Sequence, residues 1–361
     1  MDLTHWLMLL KAPHIGTKTF YQALQVFESP EQVFSASKTE RKESGVFRQA
    51  ALDFLAENDT QLVQADLDWA KADDCHILSL IDKNYPEQLK TIPDPPPLLY
   101  VRGDVSCLSL PQLAIVGSRN PSPVGEKNAQ EFAKSLAQAG LVITSGMASG
   151  IDANAHIGAL EAGKPTIAVC GTGLDRIYPA KHKSLARQIA TKGALISELC
   201  IGTSPVANNF PRRNRIISGI CLGTLVVEAS IKSGTMITAK LTAEQNREVF
   251  AIPSSISNPL AKGCHQLIKQ GAKLTENVAD ILDELQFVPT EIKANNSTIC
   301  KKEMDKPPSV LLKYLSYDAM SIDSMVEKSG ISPQIITQEL LLLELENTVA
   351  KVDGSNYVLI K

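Results

Sequence analysis

No Cys-x-x-Cys pair occurs among the seven cysteines, at 75, 107, 170, 200, 221, 264 and 300, so neither zinc spacing nor a disulfide framework can be read from them. Cys170, Cys200 and Cys221 stand in or beside apolar runs, where cysteine serves as a small hydrophobe. No apolar run approaches the roughly 20 residues of a membrane span. The first residues also lack a basic stretch followed by a long apolar one. These absences make a reducing cytoplasm the expected compartment, with no membrane partner. A large net charge is missing too: 36 Lys and Arg stand against 39 Asp and Glu, a net charge of −3. With 44% hydrophobic and 21% charged residues, the 361-residue chain reads as two or three folded domains rather than a disordered polymer.

The near balance of charge hides an uneven distribution. Cations number 10 against 16 acids in residues 1–110, 18 against 13 in residues 111–285, and 8 against 10 in residues 286–361. Between 208 and 247, six cations face two acids. A local basic footprint suits a groove better than a wholly basic protein. Its densest part is Phe210-Pro-Arg-Arg-Asn-Arg-Ile-Ile-Ser-Gly219, which sets an aromatic and three arginines at the start of a predicted helix. Guanidinium groups grip phosphate oxygens in a planar fork, and an aromatic face stacks on an unpaired base. Ile115-Val-Gly-Ser-Arg-Asn120 supplies a second cationic turn directly after a strand. Two such turns on one sheet imply a groove for a phosphate chain, which points to nucleic acid.

Residues 1–80 read as short helices, with Ala12-Pro-His-Ile-Gly16 leading into a helix whose Phe20, Leu24 and Phe27 share one face. The pattern fits a helix-hairpin-helix or sterile-alpha-motif-like module, or a plain helical cap. Asp94-Pro-Pro-Pro97 is a stiff connector into Leu98–Arg102, predicted as an edge strand. The next domain, taken as 81–285, alternates strands and helices. Its strands are predicted at Leu113–Val116, Leu141–Thr144, Thr166–Cys170, Ala194–Leu199, Leu222–Val227 and Val249–Ile252. A helix is predicted from Ser122-Pro123 to near Gly140. Nearly continuous apolar strands separated by helices predict a mostly parallel α/β sheet covered on both faces, with ligands at the carboxyl ends of its strands. Residues 286–307, with Lys301-Lys302 and Pro307-Pro308, read as a linker. Residues 308–361 read as a winged-helix domain: helix, Gly330 turn, helix, then a hairpin turning at Asp353-Gly354. Its second helix is acidic and rich in leucine, which favours a protein contact or regulatory role over duplex reading.

Other constellations have plainer alternatives. Gly117-Ser118-Arg119 can hold a phosphate at a helix start, or Arg119 can be an ordinary surface arginine. The glycines of Ser145-Gly-Met-Ala-Ser-Gly150 lack the G-x-G-x-x-G spacing and have no Walker lysine, which leaves dinucleotide and NTP sites without support. Asp152 and His156, four residues apart, read as a helix cap and a hydrogen-bonded core histidine rather than an acid–base pair. Gly171-Thr-Gly-Leu-Asp175 forms a further cradle, with Asp175 bracing Arg176. Ser233, Gly234 and Thr235 are suited to donate to phosphate, with Lys232 adding charge. Glu228 either works on a ribose or pairs with a neighbouring arginine, the latter preferred.

Taken together, these strings resemble the DNA-processing protein A family (DprA, also called Smf). They are Ile115-Val-Gly-Ser-Arg119, Ser145 to His156, Gly171 to Asp175 with Tyr178-Pro179, Phe210 to Gly219, and Val227-Glu-Ala-Ser-Ile-Lys-Ser-Gly-Thr235. The resemblance implies an extended Rossmann-like domain between a small N-terminal helical domain and a C-terminal winged-helix domain. It also implies a non-enzymatic homodimer that needs no cofactor, binds single-stranded DNA without sequence preference, and loads the RecA recombinase in natural transformation. Carried over by position, the DNA pocket comprises Ser118, Arg119, Phe210, Arg212, Arg213, Lys232, Ser233 and Thr235, extended by Arg215 and Lys240. Leu267 and Ile268 fall in a segment expected at the dimer interface. Gly263-Cys-His-Gln-Leu-Ile268 departs from the family's Gly-Thr-Asn pattern ahead of the Leu-Ile pair, which puts local loop contacts in question and not the fold.

A second reading comes from another class. The glycine-rich sheet is also similar to that of phosphoribohydrolases, which cleave nucleoside monophosphates. Their Pro-Gly-Gly-x-Gly-Thr-x-x-Glu string is not matched: Ser230 to Ile237 keeps one Gly-Thr but lacks the double glycine and the acid.

Overall fold

Leu113 and Ile115 face one side of their strand and Ala114 and Val116 the other, and all four are buried. A strand with no wet face needs helices above and below it, and the chain supplies them. The computed structural model describes residues 3–289 and 310–360, apart from 317, 347 and 353–355. Its main sheet has nine strands: β1 Cys75–Ser79, β2 Leu98–Gly103, β3 Gln112–Val116, β4 Val142–Gly146, β5 Thr166–Val169, β6 Ala194–Ser197, β7 Gly223–Val226, β8 Glu248–Ala251 and β9 Lys273–Leu274. Their order is β1-β2-β6-β5-β4-β3-β7-β8-β9. The pairings β1–β2 and β2–β6 are antiparallel and the rest are parallel.

The chain steps from β3 to β4 on one side and returns to the other side of β3 only with β7. The loops leaving β3 and its neighbours diverge there, opening a crevice at the strands' carboxyl ends. The helix after β3, Pro123–Gln138, starts as expected: the Ser122 hydroxyl accepts from the Gly125 amide at 3.0 Å, and Pro123 occupies the first turn.

Two features differ from the sequence expectation. Cys75–Ser79, placed with the helical segment, is a strand that takes the sheet edge from Leu98–Gly103. A five-residue Cys-His-Ile-Leu-Ser run is too short for periodicity to separate strand from helix. The N-terminal helices also share their core with the sheet. Trp6, Leu7, Leu9 and Phe20 belong to one apolar cluster with Tyr100, Ala168 and Leu195. The buried Asp66 carboxylate pins this junction, taking Lys11 at 2.6 Å, the Tyr100 hydroxyl at 2.7 Å and the Ile201 amide at 2.9 Å.

The C-terminal unit has helices Ile322–Ser329 and Pro333–Leu345 joined through Gly330, whose φ of 68° is left-handed. Beside them lies a small antiparallel sheet of Met320–Ser321, Asn356–Leu359 and Val349–Lys351. Met325, Ile336, Leu340, Leu343 and Tyr357 form its core. This is a winged-helix arrangement. The expected Asp353-Gly354 turn and most of the expected linker lie outside the described residues.

Candidate functional site

The crevice beside β3 holds a depression of about 720 Å³, walled by the segments that follow β3, β4, β5 and β7 and by the first turns of helices Asn209–Ile220 and Gly234–Glu244. Ser118, Arg119, Phe210, Arg213, Ser233 and Thr235 all line it. Residues more than 100 positions apart thus converge, as the two cationic turns required.

Each wall is held differently. Gly117 turns the chain out of β3, and the Thr235 hydroxyl donates to its carbonyl at 3.0 Å, tying the two sides of the crevice together. The Ser118 amide donates to the Glu228 carbonyl at 2.8 Å and its hydroxyl accepts from the Asn120 amide at 3.1 Å. Arg119 is exposed, and among the described residues it has no carboxylate within ion-pair distance. The Ser233 hydroxyl oxygen is buried with no protein partner among the described residues. Both side chains therefore keep donor capacity for something that enters the depression.

Arg213 is 7% exposed and lies over Gly146, where an added Cβ would stand 2.6 Å from its Nη1. It donates to the Val169 carbonyl and, at 3.2 Å, to the Asn214 side chain. Asp152 also lines the depression. Burial raises the pKa of its carboxyl, partly offset by the positive field of Arg213. Phe210 and Tyr178 form a tilted aromatic pair, ring centroids 5.5 Å apart, on the wall that also holds Gly171. Tyr178 is 50% exposed and lines the depression.

The remaining arginines of the Phe210–Gly219 string turn away. Arg215 is buried: it donates to the Asp94 carbonyl at 2.6 Å, stands 3.2 Å from the Asp94 carboxylate, and pairs with Glu198. Arg212 reaches the same Glu198 oxygen at 2.9 Å. Neither lines the depression, so the structure does not bring these two together with the other expected site residues. Arg213 shares the front of the helix with Phe210, Asn214 and Ile217, whereas Arg212 and Arg215 lie behind. Lys232 is exposed beside the site but outside its lining, and Lys240 is exposed 3.6 Å from Glu244. Leu267 packs into the core of the sheet, 7% exposed, and Ile268 is partly buried against the same cluster.

Among the described residues Glu228 pairs with no arginine, contrary to the preferred expectation. It accepts from the Ser122 amide at 2.9 Å and the Ser122 hydroxyl at 2.6 Å, bracing the start of the helix after β3. His156 is the core histidine expected, bonded to Thr166 at 2.7 Å and the Gly146 carbonyl at 2.8 Å. Burial pushes its pKa down to about 4. Asp175 braces Arg176 at 3.1 Å. Sequence reasoning left Tyr178, Asn214 and Ile217 out of the site. The last two follow Phe210 at helical spacing, so the period was the signal that could have found them.

Residues 76–286 match the family model of DNA recombination-mediator protein A, and residues 301–355 match that of the DprA winged helix domain. Protein Smf of Escherichia coli is 41% identical over 298 residues, 81% of this chain and 79% of that protein. The DNA processing protein DprA of Streptococcus pneumoniae is 45% identical over 209 residues, 58% of this chain and 74% of that one. Among solved structures, DprA from Streptococcus pneumoniae superposes with a TM-score of 0.70 at 36% identity, covering 78% of this chain and 97% of the other. DNA processing protein A from Helicobacter pylori, solved to describe its single-stranded DNA binding mode, gives 0.54 at 30% identity, covering 59% and 95%. Sheet order, winged helix and matched segments together place this chain in the family of the DNA recombination-mediator protein A, DprA/Smf.

Proposed function

We propose that the chain is a DNA-processing mediator that holds single-stranded DNA in the depression beside β3, without sequence preference and without catalysis. The observation that carries this reading is the convergence of Arg119 and Arg213 with the Phe210–Tyr178 pair in one crevice. Cations meet the phosphates, and aromatic faces take bases of any identity because every base has a π-face. The hydrolase alternative wants a free carboxylate beside a ribose. Asp152 is buried against the field of Arg213, and Glu228 is occupied by Ser122.

Family membership supports the finer reading: a cytoplasmic homodimer that protects incoming strands and loads the RecA recombinase on them in natural transformation. Ile268, partly exposed, stands at the segment expected between the two copies. The test of the central claim is a salt titration of oligonucleotide binding by fluorescence anisotropy, beside an assay for adenine release from AMP. Binding that weakens steeply with salt, with no base released, supports a mediator. Salt-independent binding with released adenine would move the chain to the hydrolase class.

A further inference from the structure

Helix Asn209–Ile220 carries one of the site's aromatics and one of its arginines on its front, and what lies behind it fixes where they point. Its back is clamped at two levels. Gly219 lies so close to Leu89 and Ile92 that a Cβ there would stand 3.0 and 2.9 Å from their methyl groups. Nearer the site, Glu198, which immediately follows β6, takes Arg212 and Arg215 on one oxygen. Arg215 also holds Asp94 by carbonyl and carboxylate.

Asp94 opens the Asp94-Pro-Pro-Pro97 segment, whose next three carbonyls are each engaged. Pro95 accepts from the Tyr21 hydroxyl at 2.9 Å, Pro96 from the Tyr85 hydroxyl at 2.8 Å, and Pro97 from the Leu80 amide at 3.0 Å. The proline segment is thereby a rigid bracket joining the N-terminal helix Thr17–Phe27 to the back of the site helix.

We infer that Glu198 and Arg215 are positioning residues for the strand-binding depression, acting through the rotation of helix Asn209–Ile220 on Phe210 and Arg213. The inference rests on the reading that strands bind in this depression. Rotating a helix by one residue's step moves a side chain by about 100° around its axis, so a small loss of registration behind the helix displaces the front groups. Burial raises the pKa of Glu198, against the fields of Arg215 and Arg212, which stabilise its charge.

The sign of one substitution separates this role from plain electrostatics. Removing an acid from a protein that binds a polyanion should tighten binding. If Glu198 positions the helix, Glu198→Gln weakens it instead. The experiment titrates the full chain with labelled oligothymidine over a range of salt, comparing wild type, Glu198→Gln, Glu244→Gln and Arg119→Ala. Glu244, exposed beside Lys240, gives the size of the plain charge effect. The expected result is a loss of roughly three- to tenfold for Glu198→Gln, with a salt slope equal to or shallower than that of wild type, since the displaced groups include Arg213. Glu244→Gln should stay within about twofold of wild type or bind slightly tighter.

Affinity that is equal or higher in folded Glu198→Gln overturns the inference. Arg119→Ala tests the underlying reading separately, since unchanged affinity there places the strand elsewhere. Should Glu198→Gln not fold, Tyr21→Phe removes one hydroxyl at the far end of the bracket. A loss of about twofold upholds the coupling, and wild-type affinity rejects it.

Discussion

The rim of the central sheet and the second helix of the winged-helix unit are both surfaces of a kind that nucleic acids meet. At the rim, Arg119 and Arg213 converge with Phe210 and Tyr178 over a depression large enough for part of a polynucleotide. Along Pro333–Leu345, the exposed positions include Ile335, Leu341, Leu342 and Leu345, and the helix contains no lysine or arginine. A recognition helix in a groove needs cations for phosphates and amides or guanidiniums for base edges. Apolar side chains there favour a protein surface. Two folds with a history of nucleic-acid binding thus carry opposite chemistry in one chain. Fold alone would have assigned the same role to both.

The comparison can be broken at the rim first. Arg213→Met removes a cation from the depression and leaves the Val169 carbonyl and the Asp152 carboxylate without it. Leaving a buried carbonyl without its donor costs about 1–3 kcal/mol in stability. The largest fall in strand affinity is expected here, read by urea melts beside anisotropy. Unchanged binding in the folded fraction would contradict the assignment.

Phe210→Ala is expected next, at about 1–3 kcal/mol of binding, with the salt slope preserved because a stacking face and no charge has been removed. A reduced slope would show that the ring acts by placing a cation. Arg119→Ala should leave melting unchanged, since the side chain is exposed. It should lower the salt slope by about 0.7, the value for one phosphate contact on a single strand. The smallest effect sharpens the other side of the comparison. Deleting residues 309–361 should retain most single-strand affinity, within about twofold, and a complete loss would reverse the contrast drawn between the two regions.

Some of this is legible in the sequence alone. Apolar runs with no polar alternation announced a sheet covered on both faces, and glycines after strands marked where the chain turns at its carboxyl ends. Ser122-Pro123 announced the helix start that Ser122 then caps. Other features were hidden because their cause is remote. Cys75–Ser79 is a strand only because Leu98–Gly103 lies alongside it. Glu228 invited an arginine, but the serine amide and hydroxyl 106 positions earlier in the chain reach it instead.

The sequence by itself determined that cations, an aromatic and small residues would gather at one rim of a parallel sheet, because strand period and turn chemistry are local properties. It could not determine which arginine of three would face the depression. Neighbouring positions on a helix point about 100° apart, and the rotation of Asn209–Ile220 is set by groups distant in sequence: Leu89 and Ile92 against Gly219, and Glu198 and Asp94 against Arg215. Tertiary packing therefore chose Arg213 for the depression and held Arg212 and Arg215 behind it.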